Sequence, residues 1–364
     1  MSILVNISDV CSEIFAGGDA PKSNMSDIKT DEYGIPIFSN GEANDGLYGY
    51  TNFARVTQPS ITVSARGTIG FVAVRNEPFV PIVRLISLTP NSEKIEIKYL
   101  YYALQNYKFD GSGTSIPQLT VPMLKKYSFP LRTKQQQLSI IARLDNICNL
   151  IVLRKLQLSK LDELVKSRFV ELFGGEKYAK KPIREFVDRK IASARKTYGC
   201  DETIHYIDIS SIDNKANVVT GTTEYIMTDA PSRAQQCIQY GDILISTVRP
   251  NLRNIARNDY SGDKYVASSG FCVLRAKNCD TRFLLCAVLA DDFTNAMTEV
   301  TTGANYPAIK DSDVLGYLIP VPPIELQEQF AAFVEQVDKS KFEIQKSLEK
   351  LETLKKALMQ KYFG

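Results

Sequence analysis

The chain repeats itself. Shifted by 190 residues, positions 113–174 fall on 303–364 without a gap. Gly113 meets Gly303, Pro117 meets Pro307, Tyr127 meets Tyr317, Pro130 meets Pro320 and Gln137 meets Gln327. Leu158, Lys160, Leu161, Leu164 and Lys166 recur as Leu348, Lys350, Leu351, Leu354 and Lys356. Both copies close on Phe-Gly, at 173–174 and 363–364. A long ungapped match that keeps its prolines and glycines is the mark of a duplicated unit, and it limits the fold to two related halves.

Upstream the likeness is weaker. "PSITVSARGTIGFVAV" (59–74) matches "YGDILISTVRPNLRNIA" (240–256) in pattern: an alternating strand runs into a Ser and then a turn carrying Arg. "KYLYYALQN" (98–106) and "RFLLCAVLAD" (282–291) both read as short helices. The halves therefore share an architecture while the first part of each has diverged. Divergent parts suit the reading of different targets, and similar parts suit a common docking element.

Residues 133–173 contain neither Pro nor Gly. Thr133 and Gln136 form a capping box, which predicts a helix start there. Pro323 is expected at the first helical position of the second copy, and Gly174 as the left-handed residue that ends the first helix. Each helix would be ~60 Å long at ~1.5 Å per residue. The apolar positions recur about every 3.5 residues, as in a coiled-coil seam. They are Leu144, Ile147, Ile151, Leu158, Leu161, Val165 and Leu172 in one helix, and Phe330, Val337, Ile344, Leu348, Leu351, Leu358 and Tyr362 in the other. Arg154 and Arg168 interrupt the first seam, and Lys341 and Lys355 the second, so neither is suited to self-pairing. Antiparallel pairing of the two helices within one chain is the expectation. The competing arrangement has each helix lying on its own globular domain.

Of 364 residues, 44% are hydrophobic and 23% charged, enough apolar content for real cores. No apolar run reaches the ~20 residues of a membrane span. The N-terminal stretch has no basic flank and is not read as a signal peptide, so a cytoplasmic protein is expected. Seven cysteines without a C-x-x-C pair read as reduced thiols. Cys272, Cys279 and Cys286 recur every seven residues, but with one histidine in the chain, His205, they do not make a zinc set. His205 reads as a strand histidine.

The net charge of +3 says little, because cations and anions balance in every segment except 133–175, where seven face four. Local clusters say more. Residues 177–196 hold eight Lys/Arg against two acids, and 246–257 hold Arg249, Arg253 and Arg257 with no acid. Such patches suit phosphate backbones, although a solvated face is the plainer reading of each. Catalytic patterns are missing. Pro322-Pro323 stands at a helix start, not in an amino-methylation motif, and "GGDAPKS" (17–23) lacks the glycine spacing of a phosphate loop. That stretch reads better as a turn from which Lys22 reaches a phosphate, or as an ordinary surface turn.

Taken together, "FPLRTKQQQLSIIARLDNI" (129–147), "IPVPPIELQEQFAAFVEQVD" (319–338), the helix ends "LDELVKSRFVELFG" and "LETLKKALMQKYFG", and the strands "ITVSARGTIG" and "DILISTVRP" resemble the specificity subunits of type I restriction-modification systems. The resemblance covers the whole chain. The first copy departs from the family pattern at Arg132-Thr133 and Gln135, and Cys148 stands where the second copy has Asp338. These changes leave the helix intact.

The resemblance implies an α+β fold. Two α/β target-recognition domains, 1–132 and 176–322, would lie in inverted orientation. Two long antiparallel coiled-coil helices, 133–175 and 323–364, would separate them with pseudo-twofold symmetry. It implies a non-catalytic subunit that reads a bipartite double-stranded DNA target. The chain would dock two methyltransferase (modification) subunits and join a restriction/translocase subunit. S-adenosylmethionine, ATP and Mg would sit on those partners, with no cofactor, metal or membrane contact of its own. Arg to guanine, Asn to adenine, and Lys, Ser and Thr to phosphates are the pairings DNA reading favours. On that basis the contact candidates are Lys22, Asn40, Ser64, Arg66 and Thr68 in the first domain. In the second they are Lys196, Tyr198, Thr247, Arg249, Asn251 and Arg253. "FSNGEANDGLYGYTN" (38–52) is suited to adaptable polar contacts, and the matched loops 111–119 and 302–310 are expected on the same DNA face. Two other readings stand beside this one: a DNA methyltransferase or nuclease with an unrecognised site, and a coiled-coil scaffold that binds protein.

Overall fold

The computed structural model describes residues 3–109, 111, 117–188, 190–302 and 307–364. The chain forms two compact units, one of Met1–Leu156 with Gln345–Gly364 and one of Gln157–Ile344. Where the sequence sets the long helices apart as segments of their own, the contacts divide both helices and give each unit a piece of each.

In the first unit a four-stranded antiparallel sheet runs in the order Cys11–Ala16, Ile86–Pro90, Ser60–Val63, Val72–Arg75. A smaller sheet runs Leu47–Thr51, Ile35–Phe38, Val80–Pro81, its first pair antiparallel and its second parallel. Ser60–Val63 is buried along its whole length. It has strands on both sides, which is where a β-branched run such as Ile61-Thr62-Val63 packs best. The helix Ile97–Gln105 lays Tyr99, Leu100 and Ala103 into the core with Ile61, Val63, Ile86 and Leu88.

The second unit repeats this order. Val187–Asp188, Phe271–Ala276, Ile243–Ser246 and Ile255–Arg257 form the larger sheet, extended here by Val218–Val219 and Ile212–Asp213. Thr223–Ile226, Thr203–Ile207 and Tyr265–Ser268 form the smaller, with Ala234–Cys237 added. The antiparallel-then-parallel pairing of the small sheet recurs. Thr281–Leu289 takes the place of Ile97–Gln105 and buries Phe283 where the first unit buries Tyr99. The duplication legible in the last third of each half thus extends through the diverged part.

The two long helices are Lys134–Phe173 and Ile324–Phe363. In the first unit Arg143 meets Tyr362 and Lys155 meets Glu352, so the partner number falls as the first helix rises. In the second unit Asp162 meets Lys341 at 2.6 Å, and Phe169 and Phe173 meet Phe330. The pairing is antiparallel in each, and every seam position expected from the sequence is buried or half-buried. Lys341, an interruption of the second seam, is neutralised by Asp162.

The Phe of each Phe-Gly ending is a core anchor. Phe173, from the first copy, is packed in the second unit against Phe283 and Phe330, with ring centroids 4.9 and 5.3 Å apart. Phe363, from the second copy, is packed in the first unit against Tyr99, 5.0 Å away. Burying such a ring stabilises by roughly 1.5–3 kcal/mol. Each unit therefore completes its core with the end of the other copy's helix.

Two details of the helix ends differ from expectation. Thr133 and Gln136 form the capping box as read, with reciprocal bonds of 3.2 and 3.4 Å. At the far end the left-handed residue is Gly175, at φ 74°, not Gly174. Gly174 is needed for a different reason: a Cβ there would sit 2.5 Å from the Val170 carbonyl oxygen. Pro323 stands one residue before the second helix, and its carbonyl accepts from Leu326 and Gln327. A proline is suited to either place because its missing N–H leaves no helical bond unmade.

Candidate nucleic-acid interface

Each unit gathers loops at one end of its larger sheet. In the first unit, Val63 pairs with Val72 and Ile86, so the turn 64–70 lies beside the turn 82–85. The segment 17–18 joins them: Val83 and Arg84 donate to the carbonyls of Gly18 and Gly17, at 2.7 and 3.1 Å. Gly17 has no room for a side chain there, since a Cβ would run into the Pro81 carbonyl. Asn40 bolts the group together. Its Nδ2 donates to the Val83 carbonyl at 2.6 Å and its Oδ1 accepts the Ala65 N–H at 2.7 Å. Ser64 is fully buried, and its hydroxyl accepts the Gly41 N–H at 3.2 Å.

Of the five candidates in this unit, then, Asn40 and Ser64 point inward and position the turns. Arg66, Thr68 and Lys22 are exposed. Nε and Nη2 of Arg66 donate to Oε1 of Gln118 at 3.0 and 2.7 Å, which holds the guanidinium over the turn. Arg84, absent from the sequence-based set, is exposed on the turn joined to 17–18. Val83 and Arg84 both have positive φ, 51° and 66°. Nothing in the local pattern "VPIVRLIS" signals this, because the left-handed pair is imposed by the carbonyls of Gly17 and Gly18.

The loop 38–52 is fixed from below. Asn44 and Asp45 are left-handed, at φ 49° and 54°. The buried Arg75 guanidinium pairs with the Asp45 carboxylate, donates to the Asp45 carbonyl at 2.8 Å and lies 3.7 Å from the Phe38 ring centroid.

The second unit builds the corresponding turn, 247–254, with other residues. Thr247 donates both its N–H and its hydroxyl to the Gly270 carbonyl at 2.9 Å. Arg249 and Arg253 are left-handed, at φ 51° and 53°, and flank the short 3-10 turn Pro250–Leu252. Non-glycine residues rarely adopt that conformation without external support. Here the support is visible. Arg249 N–H donates to Pro307 O at 2.8 Å, and the amides of Asn214 and Asn217 hold the carbonyls of Leu252 and Ile255. Arg253 Nη2 bonds Asp291 Oδ1 at 2.5 Å, and that cation holds the Asp291 carboxyl below the usual carboxylate range. Arg249 and Asn251 are exposed on this turn.

Lys196 and Tyr198 are placed elsewhere. Lys196 is exposed on the short helix Ala194–Thr197. Tyr198, beyond its end, packs with Ile204 and Val266 of the smaller sheet and with Met227 just beyond it. Burial pushes the Tyr198 phenol up, with the Cys237 thiol adding to the effect.

The repeat places a common bracket under both turns. Leu119 donates its N–H to Ala65 O, and Ile309, its counterpart 190 residues on, donates to Thr247 O, both at 2.9 Å. Residues 117–119 and 307–310 thus lie beside the turns. The tips 112–116 and 303–306 fall outside the described residues. A second shared bracket sits at the helix starts. Buried Gln137 accepts from the Glu96 N–H at 2.8 Å and donates to the carbonyls of Arg132 and Lys94. Buried Gln327 accepts from the Asp280 N–H at 3.0 Å and donates to Pro322 O at 2.9 Å. Among the described residues no group of three His, Cys, Asp or Glu could hold a metal ion, and no helix is long and apolar enough to cross a membrane.

The family described as the type I restriction modification DNA specificity domain matches residues 4–163 and again 178–356. The chain is 37% identical over 142 residues to a putative type I specificity subunit of Mycoplasma pneumoniae, covering 39% of each chain. The alignment therefore spans about two fifths of that relative's length. It is 21% identical over 314 residues to the specificity subunit of the EcoDI type I restriction enzyme of Escherichia coli, covering 74% of this chain and 70% of that one. Its fold is similar to the type I restriction-modification S subunit from M. genitalium, with a TM-score of 0.61, 16% identity, and coverage of 100% of this chain and 96% of that chain. Matched once in each half, and across most of its length, the chain belongs to the type I restriction modification DNA specificity family.

Proposed function

We propose that this chain is the non-catalytic, cytoplasmic specificity subunit of a type I restriction-modification complex. Each unit reads one half of a bipartite DNA site, and the long helices dock methyltransferase subunits. One observation carries the reading. The two units share a strand order and the brackets at Leu119/Ile309 and Gln137/Gln327, yet they build the bracketed turns from different residues. A common frame with divergent turns is what two readers of different sequences need.

Arg66, Thr68, Lys22 and Arg84 in the first unit, and Arg249, Asn251 and Arg253 in the second, are the groups offered to DNA, with Lys196 as a further phosphate contact. Cationic side chains would carry the salt-dependent phosphate attraction, and the held guanidiniums would read base edges. Asn40, Ser64, Thr247 and Asp291 would act by positioning the turns. Methyl transfer, ATP-driven translocation and cleavage would belong to two methyltransferase subunits and a restriction subunit, which bring S-adenosylmethionine, ATP and Mg.

The test is to reconstitute the chain with its methyltransferase subunits and map the methylated bases. A two-part motif with a fixed gap is expected, and exchanging residues 64–70 should alter one part alone. Methylation by the chain without any partner, or a continuous motif, would overturn the reading.

A further inference from the structure

Within the first unit, Arg132, Gln136, Ser139 and Arg143 from the start of the first long helix meet Lys361 and Tyr362 from the end of the second. They line a pocket of about 200 Å³ over the buried side chain of Ile140. Three of the lining residues are cations and none is an acid. Among the described residues none of the three takes part in an ion pair; the Arg132 side chain hydrogen-bonds the buried Tyr99 phenol, and its Nε is buried without a hydrogen-bond partner. Arg143 is aimed by the buried Tyr362, whose hydroxyl accepts from Nη1 at 3.2 Å. Gln136 uses its amide oxygen on the Thr133 N–H, so its NH2 remains as a donor. The lining brings several hydrogen-bond donors to one open pocket, with room for an oxyanion group and part of the chain that carries it.

The duplication makes this pocket informative. Shifted by 190, Arg132, Gln136, Ser139 and Arg143 become Pro322, Leu326, Gln329 and Phe333, and Lys361 and Tyr362 correspond to Glu171 and Leu172. Leu326, Phe333 and Leu172 pack against the second unit's core. The cationic lining thus exists in one copy alone, so whatever fills it binds once per chain, unlike a partner that docks on both copies alike.

The pocket's place in the fold separates it from the DNA-facing turns. Ile61 pairs with Leu88 and Val63 with Ile86, which puts the turns 64–70 and 82–85 at one end of the sheet and the segment 91–96 at the other. Gln137 ties 132–137 to Lys94 and Glu96, at that other end. The pocket and the turns proposed to face DNA thus lie at opposite ends of the sheet, which favours a protein carboxylate over a duplex phosphate as the oxyanion. Arg guanidiniums recognise carboxylates through paired N–H donors.

We propose that this pocket receives an acidic side chain of a partner polypeptide, once per chain, as an asymmetric anchor that goes beyond the DNA-reading role. The full chain is titrated calorimetrically with a six-residue oligoglutamate peptide, with inorganic phosphate and a non-cognate duplex as parallel arms. One peptide per chain is expected, weakened at least tenfold by Arg143→Gln with Lys361→Gln. The single exposed change Lys361→Glu provides the same readout should the double variant fold poorly. No saturation, two peptides per chain, or unchanged binding in a folded variant would refute the anchor. So would displacement of the peptide by the duplex, or by phosphate at equal concentration. Each of these leaves the methylation map untouched, so failure here is distinct from failure of the specificity reading.

Discussion

Replacing Gln137 by Leu keeps the volume of a buried side chain and removes its polar end. The native amide makes three hydrogen bonds, one accepted from Glu96 N–H at 2.8 Å and two donated, to Arg132 O at 2.8 Å and Lys94 O at 3.2 Å. Leucine leaves a part-buried N–H and two part-buried carbonyls without these partners. An unsatisfied buried group costs about 1–3 kcal/mol and a part-buried one falls at the low end, so the total is ~3 kcal/mol. Gln327→Leu loses two bonds, to Asp280 N–H and Pro322 O, and should cost less, ~2–3 kcal/mol. Gln137→Glu should be no better than leucine, since a carboxylate accepts from Glu96 but cannot donate to either carbonyl. Urea unfolding by circular dichroism gives the stabilities, and amide exchange at Glu96 and Asp280 reports each bracket separately. Equal costs for Gln137 and Gln327, or Glu96 exchange unchanged in Gln137→Leu, would refute the assignment of these glutamines as the joints between helix and domain.

Further expectations concern the turns and the thiols. Asn40→Ala frees Ala65 N–H and Val83 O together and should cost ~1–3 kcal/mol; in a reconstituted complex it should relax one half of the methylated motif and leave the other intact. Asp291→Asn removes the anionic partner of Arg253, so binding should become less selective at the second unit's half-site, read by competition among single-base variants of the target. Lowering the pH should act in the same direction: the Asp291 carboxyl is depressed in the folded chain, so the tie is present above its ordinary value and is lost as pH falls through the folded one. Cys11, Cys279 and Cys286 are each pushed up to about 12 by burial, whereas Cys200 is exposed, so alkylation at pH 8 followed by mass mapping should modify Cys200 first.

The duplication, the two long helices with their seams and the capping box at Thr133 were legible because they rest on local chemistry and on periodicity, which a sequence displays directly. The strand order shared by the units was legible only in outline, through "PSITVSARG" and "YGDILISTVRP". Even the matched Gln137 and Gln327 were visible as a repeat without showing their task, since the N–H groups they accept from, at Glu96 and Asp280, lie 41 and 47 residues earlier in the chain.

The candidate contacts divided along the same line. Residue type alone placed Asn40 and Ser64 beside Arg66, but hydrogen bonds from distant loops turn the first two inward and hold the third in place. Arg84 carries no local signal, because its left-handed backbone comes from contacts with Gly17 and Gly18, far away in sequence. The sequence by itself determined that there are two copies and that each ends in a long helix closed by Phe-Gly. Tertiary structure decided which core each Phe enters. That choice depends on packing against residues far along the chain, Phe283 and Phe330 for Phe173 and Tyr99 for Phe363, and no local propensity encodes it.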